Sequence, residues 1–498
     1  MRHLGYIILT AVLVVCFLIG SVGVFLQDDI SAAGFAYICA SLLTGAIVVT
    51  YLIASKTCDP FSPMMVVLYS VMIGSVLRAP YIVLYNDTSN AARFIMFGYT
   101  FDDIYPLLLI TPIGISALII GYACASGLNM GRRTLSRMPY ILLEYRLIVA
   151  ALVISIASLM GLILYAQAHG INISTNIASL SAKRAQAFEG SGGVVYGAGW
   201  QLFLARLSIA PFVLTIVLLA SKSIRPRISY YFIVVISGFT AIFIPYLSSS
   251  RTDYVQIAII VMGSLYYANK IKMKWLLVGL IAVTLSFSAL GNLRSANQNV
   301  AKSYSNVMDS FLGSGNGLDS YRTPLIAVLS EDRIDMQFGA TLAGTFSFLI
   351  PRAVWPEKPN PALGPWVKQS IFNQQVRNNG WPPGIIAEGW INARYLGVIS
   401  IPFFYGIFLR IYYNSFRPFL SKSVTLSVIY CSALLPLAFS GVSYNVALGI
   451  NQAVFALVPM LILVLAGSLG AGVKGDPVLQ NRFVRDAPKA KQLTAHRN

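Results

Sequence analysis

A proline-rich stretch, FLIPRAVWPEKPNP at residues 348–361, carries cations in a sequence that is otherwise strongly apolar. Its four prolines lack a backbone donor and prevent a regular helix, so a stiff, extended backbone presents Arg352 and Lys358. A guanidinium group binds two phosphate oxygens at once and keeps its proton at neutral pH. Trp355, between the two cations, suits a membrane interface or the face of a sugar ring. The stretch is therefore typical of a site for an anionic ligand.

A second stretch, NNGWPPGIIAEGWINARYLG at residues 378–397, combines a Trp and Pro turn with the lone carboxylate of Glu388. The neighbours of Glu388 are apolar, and such a setting favours the protonated carboxyl group, which suits it to proton transfer near neutral pH. The alternative is that Glu388 pairs with one of the many arginines. Asn392 and Arg394 follow and lead into the next apolar run. We therefore take Glu388 as a candidate base and Arg394 as a candidate ligand-binding residue.

A third stretch, YLSSSRTDYV at residues 246–255, places Arg251 at a predicted helix start. Ser250 followed three residues later by Asp253 is a capping-box pattern, and we interpret Asp253 as a cap rather than a base. Unpaired N–H groups and the helix dipole make such a start favourable for an anion, and Arg251 adds a positive charge. The alternative is that Arg251 reaches out to phospholipid headgroups.

Further arginines complete the set of candidates. Arg294, Arg322 and Arg377 lie in or next to the polar segment that contains the first two stretches, and we assign them to ligand binding. Arg78 and Arg206 lie in or near apolar runs, where a guanidinium is costly unless it is paired or faces water. For Arg78 the alternative is a side chain that extends from a helix end to the membrane surface.

One reaction that requires fixed cations and a carboxylate is the transfer of a sugar from a polyprenyl diphosphate. The negative charge of the leaving diphosphate grows in the transition state, and each oxyanion-hole donor contributes roughly 3 to 4 kcal/mol in comparable reactions. A metal ion is the other way to supply positive charge, and Asp28 and Asp29 form an acidic pair. Only a short turn joins the apolar runs on either side of that pair, so we interpret it as a solvated turn. A metal site at this acidic pair is therefore not expected.

The elements that position these residues are predicted to be transmembrane helices. Of the 498 residues, 56% are hydrophobic and 11% are charged, and the mean hydropathy is +0.70, which excludes a soluble fold of this length. Crossing a bilayer of about 30 Å takes roughly 20 helical residues, and isolated strands leave backbone groups unpaired in lipid. The chain is thus predicted to be an all-α polytopic membrane protein with about twelve transmembrane helices. The predicted spans are 4–26, 33–54, 64–85, 105–126, 147–168, 200–221, 229–247, 253–268, 275–291, 391–413, 424–444 and 447–469.

The distribution of charge predicts how these spans are oriented. With both termini in the cytoplasm, about 21 of the 36 Lys and Arg residues but only about 4 of the 18 Asp and Glu residues lie inside. The net charge of +18 therefore indicates membrane orientation, and we exclude nucleic acid as a partner. The alternative for span 4–26 is a signal peptide, but its apolar core is longer than the usual 7 to 15 residues.

The predicted organisation has four parts: spans one to nine in 1–291, a large outward loop with short helices and the candidate motifs in 292–390, spans ten to twelve in 391–469, and a basic cytoplasmic tail in 470–498. The five cysteines lie in spans or a cytoplasmic loop, and His169 is the one outward-facing histidine in this arrangement. A disulfide framework or a histidine metal cluster on the outer side is therefore not expected.

The three stretches, together with a dozen spans and a large outward loop late in the chain, resemble the O-antigen polymerase family of Wzy-type enzymes. The resemblance covers roughly residues 240–410 and rests on SSSRTDY, IPRAVWPEKP and PPGIIAEGWINARYLG. It implies a GT-C-like membrane glycosyltransferase of the bacterial inner membrane, with no metal or other cofactor and an active site facing the periplasm. Its substrates would be undecaprenyl-pyrophosphate-linked oligosaccharide repeat units, which it would join into O-antigen or a related surface polysaccharide.

The resemblance also implies roles for particular residues. Arg251, Arg352 and Lys358 would hold the pyrophosphate, and Glu388 would activate the acceptor sugar. Weaker candidates for contact with the pyrophosphate or sugar are Arg294, Arg377, Arg394, Arg322 and Trp355. A chain-length regulator is an expected protein partner, in addition to membrane lipid.

Besides a structural or scaffolding membrane protein, two other functions remain open from the sequence. The related O-antigen ligases depend on a histidine in their large loop, and residues 292–390 contain none. A flippase or transporter for the lipid-linked unit would place its cations in a central cavity between duplicated halves, whereas no internal repeat is visible here. We keep both as alternatives to a polymerase.

Overall fold

The computed structural model of the protein describes residues 31–55, 59–84, 99–128, 130, 135, 144–168, 199–222, 224–247, 251–271, 275, 279, 319–347, 354–355, 362–373 and 380–468. Within these ranges every long regular element is a helix. In chain order the helices are α1 (Ala32–Ala54), α2 (Pro63–Val83), α3 (Phe101–Cys124), α4 (Glu144–Ala168), α5 (Gln201–Ala220), α6 (Ile228–Leu247), α7 (Arg251–Tyr267), α8 (Arg322–Arg333), α9 (Ala340–Ser347), α10 (Leu363–Ser370), α11 (Gly384–Leu420), α12 (Val424–Ser443) and α13 (Val446–Ser468).

Most of the predicted spans are present as helices. Over the described ranges, nine helices, α1 to α6 and α11 to α13, are long and apolar enough to cross a membrane. They match nine of the predicted spans, and α7, with 17 residues, matches the span 253–268. The span 4–26 and nearly all of 275–291 lie outside the described residues. The protein is therefore a helical membrane protein that crosses the bilayer many times.

Helices α3 and α11 pack closely against each other, and glycine makes this contact possible. A Cβ atom on Gly121 would lie 2.0 Å from the carbonyl oxygen of Phe403, and one on Gly406 would lie 2.2 Å from that of Leu118. Without a hydrophobic driving force between helices in lipid, such close backbone contact is a main source of helix association. This contact fixes α11, which carries several of the predicted site residues.

Helix α11 is broken near its start, and the break differs from the predicted span 391–413. Helical residues begin at Gly384, but Ala393 has φ −155° and Arg394 has φ 51° and ψ −136°. Residues 384–392 consequently fold back against the beginning of the longer part. Each backbone fills the space that a side chain would need: a Cβ on Gly389 would lie 2.5 Å from the Gly397 carbonyl oxygen, and one on Gly397 would lie 1.9 Å from that of Gly389. We call this arrangement the α11 elbow.

Helix α2 has a π-helical stretch over Met72–Leu77, directly before Arg78. A π-helical turn changes the hydrogen-bond ladder, and such turns are frequent at functional sites. The carbonyl oxygen of Gly74 in this stretch accepts a hydrogen bond of 3.2 Å from the backbone N–H of Ser320. The turn that precedes α8 is thereby attached to the side of α2.

The short helices α8 to α10 belong to the predicted outward loop, and α8 lies where SYRTPLIAVL predicts a helix. One face of α8 is fully buried, with Leu325 and Ile326 in an apolar cluster that also includes Tyr37 of α1 and Ile104 of α3. Burial of leucine and isoleucine side chains stabilises such a contact by roughly 1.5 to 3 kcal/mol each. Helix α8 is therefore part of the folded core and not a loose connection.

The other end of the bundle contains a hydrogen-bonded cluster around Asp59, which precedes α2. Its carboxylate accepts hydrogen bonds from the hydroxyl of Tyr413 at 2.7 Å, from the hydroxyl of Tyr267 at 2.9 and 3.0 Å, and from the Phe61 N–H at 3.1 Å. Burial raises the pKa of Asp59, and these hydrogen bonds oppose the rise. We call this group the tyrosine cluster. It joins the ends of α2, α7 and α11.

Candidate functional site

The predicted site residues are described to different extents. Arg294, Arg352, Lys358 and Arg377 lie outside the described residues. Arg251 is the first residue of α7, as the capping pattern predicts to within a residue or two, and its backbone alone is described.

The described site residues include Trp355, which is 41% exposed. Arg322, Glu388 and Arg394 are also described, and all three lie where the loop helices meet the same end of the transmembrane bundle. The geometry at that end can therefore be followed atom by atom.

Arg322 belongs to a buried cluster with Arg78 and Asp319, which we call the arginine cluster. Oδ2 of Asp319 lies 3.0 Å from Nη2 of Arg78 and 3.9 Å from Nη2 of Arg322. The side chains of Arg78 and Asp319 are 2% and 0% exposed. The alternative interpretation of Arg78, a side chain extending to the membrane surface, is therefore wrong, because the pairing with Asp319 keeps it inside the protein.

Asp319 also begins α8. Its Oδ1 accepts hydrogen bonds from the backbone N–H groups of Tyr321 at 3.0 Å and Arg322 at 3.3 Å. An aspartate before the first turn satisfies backbone donors that a helix start would otherwise leave unpaired. The two oxygens of this carboxylate thus have different contacts. Oδ1 accepts hydrogen bonds from the backbone at the start of the helix, and Oδ2 faces the guanidinium groups.

The polar groups of the arginine cluster are not fully hydrogen-bonded. Nε and Nη2 of Arg78 and Oδ2 of Asp319 are buried and form no hydrogen bond within the described part of the chain, so the Arg78–Asp319 contact is an ion pair without hydrogen-bond geometry. Burial lowers the pKa of Arg322 to about 10, which leaves it charged at neutral pH, and Tyr444 also lies within its electrostatic range. Two buried cations here face the carboxylate of Asp319.

Glu388, on the short arm of the α11 elbow, has no exposed surface. Its Oε1 accepts a hydrogen bond of 3.1 Å from the hydroxyl of Thr341, and its Oε2 accepts one of 2.9 Å from the backbone N–H of Val446. Val446 is the first residue of α13, so the carboxylate lies at the positive end of that helix dipole. Among the described residues no arginine or lysine forms an ion pair with Glu388.

Asn392 holds the end of the short arm in place. Its Nδ2 donates to Oγ1 of Thr341 at 2.7 Å and to the Glu388 carbonyl oxygen at 2.8 Å, and its Oδ1 accepts from the Gly339 N–H at 2.8 Å. The N–H groups of Gln337 and Phe338 bond the carbonyl oxygens at the end of the arm, both at 3.1 Å. The turn before α9 therefore satisfies a helix end that would otherwise carry unpaired carbonyl groups.

Arg394 lies at the bend of the elbow, in a conformation that non-glycine residues rarely adopt. Its guanidinium lies 5.8 Å from the centre of the Trp390 ring, and Nη1 donates to Oγ of Ser330 on α8 at 3.3 Å. Helix α8 consequently connects Arg322 at its start with Arg394 near its end. Strained residues held by their surroundings are frequent at ligand sites.

Arg206 is paired, as its position in an apolar run requires. Its Nη2 lies 2.8 Å from Oδ2 of Asp253 in the first turn of α7, so the carboxylate of Asp253 bonds a side chain of another helix. Arg206 borders a pocket of about 270 Å³ between α5, α7, α12 and α13. Apart from Arg206, Gln256 and Gln452, the lining is mainly apolar. Gln452 is about 9 Å along α13 from Val446, at 1.5 Å per residue, so the pocket lies close to the Glu388 network.

Several residues at this end of the bundle are not indicated by the motifs. Thr341 and the Val446 N–H contact Glu388, and Asp319 contacts Arg78, and in each case the two partners lie far apart in the sequence. The one available signal is Asp319 itself, since an aspartate three residues before Arg322 matches a helix N-cap.

Comparison with known protein families, curated proteins and solved structures gives no match to the chain. Within the described ranges, no group of three histidine, cysteine, aspartate or glutamate side chains is arranged to hold a metal ion.

Proposed function

We propose that the protein is a glycosyltransferase of the bacterial inner membrane that polymerises undecaprenyl-pyrophosphate-linked oligosaccharide units into O-antigen or a related surface polysaccharide. Transfer would take place at the periplasmic face, on the side of the arginine cluster and the α11 elbow. The growing chain would leave its lipid diphosphate and join the terminal sugar of a new lipid-linked unit.

The observation that carries the proposal is that Arg322 and Arg394 contact the two ends of α8, while Glu388 lies on the short arm of the elbow beside Arg394. Two cations predicted to bind the diphosphate and the predicted carboxylate thus lie at one end of the bundle, in surroundings largely shielded from water. Charges preorganised in such surroundings act more strongly on a developing anion than charges in water. This is the arrangement that departure of a diphosphate requires.

The remaining cations have proposed roles that follow from the sequence. Arg251, Arg352 and Lys358 would bind the pyrophosphate together with the described arginines, and Arg294 and Arg377 would contribute to the same charge. Trp355, partly exposed, would contact a sugar or the membrane interface.

Glu388 has two proposed tasks. In the structure it holds the short arm against α13 through Val446. If α9, which carries Thr341, moved away, the carboxylate would become available to take the proton of the acceptor hydroxyl. A buried carboxyl group released next to a substrate is suited to general-base catalysis.

The apolar pocket beside Arg206 offers a place for part of the isoprenoid chain of a substrate. It lies along α13 from the Glu388 network, and its lining is mainly apolar. A chain bound there would bring its diphosphate toward the polar end of α13. A separate chain-length regulator is a proposed partner.

A complementation experiment tests the proposal. Single variants Arg352→Ala, Arg251→Ala and Glu388→Gln are expressed in a strain that lacks the gene, and the surface polysaccharide is separated on a gel. We expect inserted protein but no polymer ladder from each variant, because each lacks a group needed for diphosphate departure or acceptor activation. Lys422→Gln, an exposed cation between α11 and α12, is the control and should give a normal ladder. Normal ladders from all three variants would exclude these residues from the reaction.

The strain without the gene distinguishes the alternatives. A missing polymerase leaves single repeat units on the lipid A core, whereas a missing ligase leaves a bare core. Accumulation of lipid-linked units on the cytoplasmic side, with polymerase and ligase activities intact, would instead identify a flippase.

A further inference from the structure

The arginine cluster contains buried N–H donors of Arg78 that have no hydrogen-bond acceptor among the described residues. Within the described residues, the Asp319 carboxylate faces two guanidinium groups, at 3.0 and 3.9 Å. Nε and Nη2 of Arg78 are buried and have no hydrogen-bond partner there. A guanidinium has five N–H donors arranged as a rigid fork, and a buried donor without a partner is unfavourable. A second anionic group with several oxygens would satisfy Arg78 better than Asp319 does.

We propose that Arg78 and Arg322 form the binding site for the diphosphate of the lipid-linked substrate, and that Asp319 occupies this site until the diphosphate replaces it. The identity of the ligand rests on the proposed function. The oxyanion character of the site rests on the contacts of Arg78 alone.

The geometry of Asp319 makes such an exchange possible. Oδ1 is fixed by the two N–H groups at the start of α8, whereas Oδ2 has no hydrogen bond and only faces the arginines. Asp319 can therefore keep its place at the helix start while the space in front of Oδ2 passes to another oxygen. A diphosphate has enough oxygens for a two-point contact with each guanidinium, which a carboxylate already bonded through Oδ1 cannot make.

Access to the site would require movement of the turn before α8. The turn before α8 is attached to the π-helical stretch of α2 by the Ser320–Gly74 hydrogen bond, and by a hydrogen bond of 2.5 Å between the hydroxyls of Ser320 and Tyr37. Release of Ser320 would uncover Arg78 without disturbing the apolar face of α8. The Asp319 carboxylate would also exclude weakly charged anions, since a ligand must outcompete it.

Binding of inorganic pyrophosphate to the purified full-length protein in detergent tests this proposal. We expect Asp319→Asn to bind about tenfold more tightly than the unmodified protein, because the competing charge is gone. Arg78→Gln should bind at least about tenfold more weakly. Asp332→Asn removes the same charge from an exposed position on α8 and should leave the affinity unchanged.

Further ligands identify the source of the diphosphate. Farnesyl diphosphate should compete with pyrophosphate, and orthophosphate should bind far more weakly. If vesicles of anionic phospholipid compete equally well, the site binds headgroups and the diphosphate assignment is wrong.

A second comparison tests the proposal even if Asp319→Asn does not fold. Pyrophosphate should raise the melting temperature of Arg78→Lys but not of Arg78→Gln, because lysine keeps the charge at this position. Unchanged affinity in Asp319→Asn, or full affinity in Arg78→Gln, overturns the proposal. Polymer formation with unchanged pyrophosphate affinities would leave the proposed function standing without this site. The expected affinities in a protein that makes no polymer would keep the anion site and reject the proposed function.

Discussion

The two ends of the helical bundle bury an aspartate in opposite ways. At one end, the tyrosine cluster surrounds Asp59 with two hydroxyls and a backbone N–H, and both oxygens accept hydrogen bonds. At the other end, Asp319 faces two guanidinium groups, and donors of Arg78 remain unfilled. A buried polar group whose hydrogen bonds are all formed stabilises the fold. A buried polar group that lacks hydrogen-bond partners can still bind a ligand. We therefore propose a structural role for the end with Asp59 and ligand binding for the end with Asp319.

Arg322→Gln is expected to produce the largest effect. The variant removes one cation from the arginine cluster but leaves Asp319 paired with Arg78, so the protein should insert normally. Polymer synthesis should fall by roughly 100- to 1,000-fold, the usual loss when one donor to a developing anion is removed. The rate of polymer formation by purified protein from lipid-linked units measures this. A normal rate would show that the two ends do not differ in function.

Asp59→Ala probes the other end of the comparison. The variant leaves two tyrosine hydroxyls and one backbone N–H without their acceptor, and we expect the free energy of unfolding to fall by roughly 2 kcal/mol. Activity per folded molecule should stay within a factor of about two, because the tyrosine cluster lies away from the reacting groups. Thermal unfolding in detergent and the polymer assay, run on the same sample, measure both. Loss of activity with unchanged stability would reverse the assignment.

The smallest expected effect is a pH dependence of the tyrosine cluster. Because burial raises the pKa of Asp59, the folded state favours its protonated form. That contribution to stability is complete below the unfolded-state pKa of about 3.9 and is lost as the pH rises through the higher folded-state pKa. The melting temperature of the unmodified protein relative to Asp59→Asn should therefore decrease over this interval and then level off. A relative melting temperature that increases with pH would mean that the tyrosine hydrogen bonds outweigh burial.

The sequence predicts the parts of this protein that depend on local pattern. Apolar runs locate the helices α1 to α6 and α11 to α13, because each residue in such a run contributes independently to partition into lipid. Arg206 was predicted to be paired or to face water, and its ion pair with Asp253 confirms that prediction.

Features that depend on tertiary contact could not be predicted. The bend at Ala393 and Arg394 lacks a glycine or proline at the break itself, and the close contact that it requires lies between Gly389 and Gly397. The pairing of Arg78 with Asp319 joins α2 to the turn before α8, and no local pattern connects them. Glu388 was expected in apolar surroundings, but its bond to the Val446 N–H depends on where α13 begins.

The α11 elbow has a consequence for how the sequence can vary. Gly389 and Gly397 touch backbone to backbone, and a methyl group at either position would overlap a carbonyl oxygen. Substitution at one position cannot be compensated at the other, since neither has a side chain that could shrink. Any descendant of this chain that retains the bend must therefore retain both glycines, and the pair provides a marker by which distant relatives with the same bend can be identified.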